Sequence, residues 1–207
     1  MSNTKPGVGA VARSVSAATT TDKSQPAAHL PGDGHMWLMV LGDLIIFGSY
    51  FIIYMVHRAM APEEFLQAQR HLNVTIGVIN TVLLLTSSWF IAHSVQAARG
   101  ADYDRAIRLT YGGGICGVIF IAIKAYEWSS EITHGHTNAN PFFMFYYMLT
   151  GVHMFHVALG LLILGIVVRQ LRNPRRQRLS IVEQGATYWH MVDLLWLVIF
   201  GLLYVMR

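Results

Sequence analysis

The sequence predicts an all-α membrane protein whose five transmembrane helices form one bundle. Three observations carry that prediction. Only 13% of the 207 residues are charged, against about 25% in soluble domains. Mean hydropathy is +0.42. Five separate stretches hold the roughly 20 apolar residues that cross a hydrocarbon core about 30 Å thick. Each is apolar nearly all round, unlike a surface helix with one polar face.

Residues 1–34 are rich in Ser, Thr, Ala, Gly and Pro and carry no apolar period, so they are read as a disordered tail. The tail lacks the apolar core and cleavage site of a signal peptide, and its Thr19–Thr21 run points to no function. Residues 35–207 are the transmembrane domain. The first span is expected over Met36–Val56, the second over Val74–Val95 and the third over Leu109–Tyr126. The fourth is expected over Phe142–Val168 and the fifth over Ala186–Met206. Pro62, Gly100, Pro141 and Pro174 fall between spans, where chain breakers belong. No internal repeat is seen, which disfavours a transporter built from inverted halves.

Charge orients the bundle. The tail, the loop with Arg99, Arg105 and Arg108, and the loop from Arg169 to Arg178 share one side and hold eleven Lys and Arg residues; the other side holds four. Basic loops stay cytoplasmic, so the N-terminus is expected inside and the C-terminus outside. The net charge of +4 is then a property of these loops and not a sign of nucleic-acid binding. The single cysteine, Cys116, excludes a disulfide framework and any Cys-based metal cluster.

Ionisable groups in hydrocarbon are costly, so each one is a functional candidate. Asp43 lies early in span one, His153 and His156 in the middle of span four, and His190 and Asp193 early in span five. At 1.5 Å per residue, Asp43, His190 and Asp193 lie roughly 6–12 Å below the inner surface. Together these residues suggest a polar seam in the inner half. The residues leave two readings open. One is helix packing or a lipid headgroup held in a cleft; the other is proton conduction or collection. Lys124 and Glu127, three apart and opposite in charge, are expected as an ion pair at the outer end of span three. Small residues should let helices approach closely: Gly113 and Gly117 in a small-xxx-small pattern, and Gly151 and Gly160 on span four. Trp37, Trp89, Trp128, Trp189 and Trp196 are read as lipid contacts and interface anchors.

A redox centre finds little support. A haem held by two histidines needs them opposed at matched depth; His153 and His156 share a helix, leaving only His156 with His190. A di-iron site needs two Glu-x-x-His motifs and two further carboxylates. Glu131-Ile-Thr-His134 is one motif, placed in a loop, and His134-Gly-His136 is a bare polar pair. No tightly bound metal is expected.

Three stretches resemble subunit III of the haem-copper oxidases. Thr150-Gly-Val-His-Met-Phe-His-Val-Ala-Leu-Gly160 is similar to that family's Thr-Gly-x-His-x-x-His-Val-x-x-Gly signature. Tyr188-Trp-His-Met-Val-Asp-Leu-Leu-Trp196, followed by Phe200 and Tyr204, resembles its Tyr-Trp-His-Phe-Val-Asp-x-x-Trp element. Ala125-Tyr-Glu-Trp128 is similar to its Glu-Tyr element. The order of the motifs matches, and the likeness covers Gly34 to Arg207.

The resemblance implies an accessory subunit without redox cofactors of its own. Such a subunit packs on a catalytic subunit I that carries haem and copper, holds phospholipid in a cleft, and sustains turnover and proton uptake. It also implies the five-span bacterial form, set in the cytoplasmic membrane with its N-terminus inside. Two departures stand out: Asp43 where span one usually carries Glu, and Lys124 where many members have Gln. Both resemble the NorE-type branch associated with nitric oxide reductase operons, so a nitric oxide reductase is the alternative partner. A stand-alone membrane cytochrome b and a proton-coupled transporter are weaker alternatives.

Overall fold

The structure, a computed structural model, describes residues 34–134, 141–173 and 178–206. The N-terminal tail expected over 1–34 lies outside the described residues, apart from Gly34. Among the described residues the elements are α1 (Gly34–Met60), α2 (Pro62–Gln69), α3 (Val74–Arg99), α4 (Tyr103–Thr133), α5 (Pro141–Leu171) and α6 (Leu179–Phe200), closed by a π-helical turn, Gly201–Val205. Five of these helical runs are long and apolar enough to span a membrane.

The helices outrun the apolar stretches. The third span, expected over Leu109–Tyr126, belongs to a helix running from Tyr103 to Thr133. Polar residues at its ends continue the helix because leaving it would strand backbone groups near the membrane. Glu131 therefore lies in α4 and not in a loop. Pro62 and Pro141 also act as starters and not only as breakers. Each opens a helix, at its first turn, where proline's missing N–H costs nothing.

Asn73 and Asp102 cap α3 and α4 by accepting from Thr75 N at 3.0 Å and Arg105 N at 3.1 Å. Between those helices, Asp102 N donates to Ala97 O and Ala101 N to Ala98 O, the paired bonds of a Schellman closure. The left-handed residue of that closure is Ala101, with φ 59°.

Helices α3, α4, α5 and α6 neighbour one another in a closed ring, and α1 rests on α5 and α6. The tightest junction is the α3–α4 hairpin. There Ser87 Oγ donates to Gly113 O at 2.8 Å, and Ser94 Oγ bonds Ala106 O and Thr110 Oγ1 at 3.0 and 2.7 Å. Hydroxyls that bond across helices let the backbones approach without orphaned polar atoms.

Two of the five tryptophans expected at lipid interfaces are core residues instead. Trp189 and Trp196 are both 0% exposed. Trp189 donates to Ser87 Oγ at 3.0 Å and Trp196 to Thr81 Oγ1 at 3.0 Å, so each has the partner a buried indole N–H requires. Trp89, 57% exposed, faces outward.

The glycines explain how the indole of Trp189 fits. A Cβ on Gly117 would stand 2.7 Å from its ring, and one on Gly160 would stand 2.8 Å away. The ring thus occupies a slot between α4 and α5 that exists only because both residues lack a side chain. Gly113 gives the same room to Ile91, 2.7 Å from its would-be Cβ, and Gly151 faces Trp128 at 3.1 Å.

The C-terminal turn is held by side chains from the start of the chain. Met206 N donates to Gly201 O at 2.9 Å, the five-residue step of a π-helix. Such an end leaves carbonyls without intrahelical donors. Tyr54 Oη donates to Leu202 O at 3.2 Å, and Gln69 Nε2 to Leu203 O at 2.9 Å. Helix α2 earns its place by delivering Gln69, and Phe65 on it packs edge-on to Phe142 and Tyr54.

Candidate functional site

Two polar clusters and a set of isolated buried polar groups occupy the bundle. The first cluster centres on Lys124, which α4 directs inward. Lys124 is 0% exposed and Glu127 is 2% exposed. They stand nine and six residues before the end of α4 at Thr133, about 14 and 9 Å along the axis. The pair expected at the outer end of span three is thus buried between helices, beside Tyr146 near the start of α5 and Tyr204 in the C-terminal turn.

Lys124 Nζ donates to Glu127 Oε2 at 2.9 Å, to Tyr204 Oη at 2.7 Å and to Tyr146 Oη at 3.3 Å. Tyr204 Oη in turn donates to Glu127 Oε1 at 2.6 Å. All three ammonium protons and both carboxylate oxygens are thus engaged. The cation also lies 4.7 Å from the Tyr146 ring centre and 5.2 Å from that of Trp196, where aromatic faces add attraction. The arrangement neutralises two charges that could not otherwise be buried. It joins α4, α5 and the C-terminal turn.

The second cluster joins α1 to α5. His156 Nε2 lies 3.5 Å from Asp43 Oδ1, both side chains being partly exposed. His156 Nδ1 is 2.8 Å from Val152 O. A carbonyl only accepts, so Nδ1 carries a proton. Nε2 is left to face the Asp43 carboxyl across the gap between α5 and α1. Phe47 packs edge-on to the imidazole at 5.3 Å.

The remaining seam candidates do not join that pair. His153, three residues from His156, faces α4 and α6. It is 0% exposed between Phe120, at 5.6 Å, and Trp196, at 5.3 Å. Neither of its ring nitrogens has a hydrogen-bond partner. His190 turns to α3, with Nδ1 2.6 Å from Ser88 Oγ. Ser88 is also the polar neighbour of Asp193, yet neither carboxyl oxygen of Asp193 reaches hydrogen-bonding geometry. The single seam expected from sequence is therefore divided, because a spacing of three displaces side chains by about 60° around a helix, enough to reach different neighbours in a five-helix packing. His156 and His190, the one pairing left for an opposed-histidine haem, engage different helices. Among the described residues, no group of three or more His, Cys, Asp and Glu side chains is arranged to hold a metal ion. His136 lies outside the described residues.

Sequence reasoning missed Tyr146, Gln69, Asn80 and Ser88. Asn80 is 0% exposed with both amide atoms unpartnered. A usable signal existed: a neutral polar group inside an apolar span must find a partner or a water, so each marks an interior face.

The family described as cytochrome c oxidase subunit III matches residues 18–207. Cytochrome c oxidase subunit 3 of Synechocystis sp. is 31% identical over 173 residues, covering 82% of this chain and 73% of that protein. The Thermostichus vulcanus cytochrome c oxidase subunit 3 is 31% identical over 174 residues, covering 82% and 84%. Heme-copper oxidase subunit I+III of Aeropyrum pernix is 28% identical over 180 residues, covering 82% of this chain and 22% of that longer protein.

Proposed function

The chain belongs to the cytochrome c oxidase subunit III family, and from that premise we propose that it is the accessory, redox-inactive third subunit of a bacterial haem-copper oxidase. The observation that carries the reading is the match over residues 18–207, which takes in all five spans. The partner is the catalytic subunit I, where haem and copper reside. The Aeropyrum pernix relative supports this choice, since its name joins subunits I and III.

The chain sits in the cytoplasmic membrane with its N-terminus inside, an orientation supported by the eleven-to-four division of basic residues. It supports proton uptake by the catalytic subunit through Asp43 and His156. These two stand 3.5 Å apart at a partly exposed position, open to whatever lies beside α1. The Lys124–Glu127–Tyr204 cluster is closed and holds the bundle together.

A second reading, the NorE-type accessory protein of a nitric oxide reductase system, is favoured by Asp43 and by Lys124. The buried pair with Glu127 gives Lys124 a structural reason to replace Gln. One experiment separates the readings. The chain is isolated from native membranes in mild detergent, and its companion is identified by mass spectrometry and visible spectroscopy. A haem-copper oxygen-reducing subunit is the expected companion. A nitric oxide reductase would move the assignment to the second reading, and stoichiometric haem in the isolated chain would overturn both.

A further inference from the structure

We propose that the groove between α4 and α5 binds one phosphatidylethanolamine molecule, with an acyl chain along the groove and the headgroup held between Arg172 and Asp104. The site is separate from the Asp43–His156 pair and does not depend on which catalytic subunit the chain joins.

The groove has a volume of about 380 Å³ and is lined almost wholly by apolar surface. Its floor is made by absent side chains. A Cβ on Gly165 would meet nothing within 4 Å, and one on Gly114 would meet only Leu161, at 3.9 Å. These glycines thus differ from Gly117 and Gly160, whose missing side chains make room for Trp189. None of the described residues fills the hollow they leave. The groove follows the stripe Tyr111, Ile115 and Val118 on α4, facing Leu161, Leu164 and Val168 on α5. From Thr110 to Ile119 the groove follows α4 for nine residues, about 14 Å at 1.5 Å per residue. Half of a hydrocarbon core about 30 Å thick is about 15 Å, so the groove spans one leaflet.

The end of the groove is charged, with both signs present. Arg172 stacks over the Tyr111 ring at 5.6 Å and reaches a second hollow of about 410 Å³, which Asp102 and Asp104 also line. Asp102 already accepts from Arg105 N, which leaves Asp104 as the freer carboxylate. A lone anion would meet the two carboxylates, and a lone cation would meet the guanidinium. A zwitterion satisfies both. Its phosphate takes the planar donors of Arg172, and a primary ammonium a few bonds away bonds Asp104. Phosphatidylethanolamine carries those groups in that order beneath its acyl chains.

The test uses the assembled complex, extracted in mild detergent, exchanged into micelles with equal phosphatidylethanolamine and phosphatidylglycerol, and weighed intact by native mass spectrometry. The parent should retain phosphatidylethanolamine at least threefold over phosphatidylglycerol. Gly165→Leu sends a side chain toward the groove from a Cβ position with nothing within 4 Å. It should lower total retention at this site about tenfold while leaving assembly intact. Asp104→Asn should erase the preference between the two lipids, and Arg172→Ala should weaken both. Equal retention by the parent, or unchanged retention by Gly165→Leu, would overturn the proposal. A photoreactive group placed at Ile115 supplies the independent check. It should label lipid, and labelling of another protein subunit instead would show the groove to be a protein interface and end the proposal.

Discussion

Tyr204 Oη lies 2.7 Å from Lys124 Nζ, so the C-terminal turn is bonded to α4 nine residues before that helix ends. The same hydroxyl donates to Glu127 at 2.6 Å. A C-terminal segment that could fray into lipid is instead tied to the only ion pair among the described residues that is almost fully buried on both sides.

That closure predicts that either single replacement costs more than both together. Lys124→Met leaves Glu127 buried and uncompensated, and Glu127→Gln leaves Lys124 so. Each should destabilise the chain by about 3–5 kcal/mol, the cost of breaking one half of a buried pair. The double variant carries no stranded charge and should recover most of that loss. Midpoints of thermal inactivation for the four proteins form a double-mutant cycle that measures the coupling. If both single variants melt with the parent, the pair does not carry the bundle.

The Trp189 slot makes Gly160 and Gly165 opposites despite their shared spacing and helix. Gly160→Ala would set a Cβ 2.8 Å from the indole, which is itself wedged against Gly117. The ring cannot retreat, and overpacking of this kind costs about 1–3 kcal/mol. Gly165→Ala meets open space, so it should be neutral or stabilise α5 by up to about 1 kcal/mol through helix propensity. Comparing the thermal midpoints of the two variants decides it. Equal losses would mean that the slot is looser than its contacts imply.

Much of the bundle was legible because membrane helices obey one rule, burial of backbone polar groups, which apolar length reports directly. What apolar length could not report was where helices end. Glu131 and the polar residues around it extend α4 beyond Tyr126, and near that end the side chains of Lys124 and Glu127 turn into the bundle. Helix spacing joined those two residues correctly, because both sit on one helix. It could not find Tyr204, 80 positions away. The five-residue seam failed for a related reason. Depth along the membrane can be read from position in a span, but the direction of a side chain depends on which helices surround it. His153 and His156 lie at similar depth yet reach Trp196 and Asp43 respectively.

The turn between α3 and α4 offers a stabilising change. Ala101 holds φ 59°, a conformation that costs a residue with a Cβ about 1–2 kcal/mol. Glycine adopts it without that cost, though it adds about 0.4–1 kcal/mol of chain freedom to the unfolded state. The balance predicts that Ala101→Gly stabilises by about 0.5–1 kcal/mol, read as a raised thermal midpoint with unchanged turnover. A lowered midpoint would refute the left-handed assignment at this residue.

Asp193 is a buried carboxyl whose surroundings can be tested for a part in turnover. It is 5% exposed, and neither oxygen has a hydrogen-bond partner, although Ser88 and His190 are bonded to each other nearby. A carboxyl in that position is a net cost to folding, since an unsatisfied buried polar group forfeits about 1–3 kcal/mol. A residue retained at such a cost serves something other than stability, and an internal water or a mobile proton is what its empty acceptors could take. Asp193→Leu should therefore assemble normally and melt no lower than the parent, even somewhat higher. Its effect should appear in catalysis, as fewer turnovers completed by the complex before inactivation. Asp193→Asn, which keeps the shape and loses the titratable proton, should share the catalytic defect. If Asp193→Leu lowers the thermal midpoint and leaves turnover endurance intact, the residue is packing material and the functional reading of it fails.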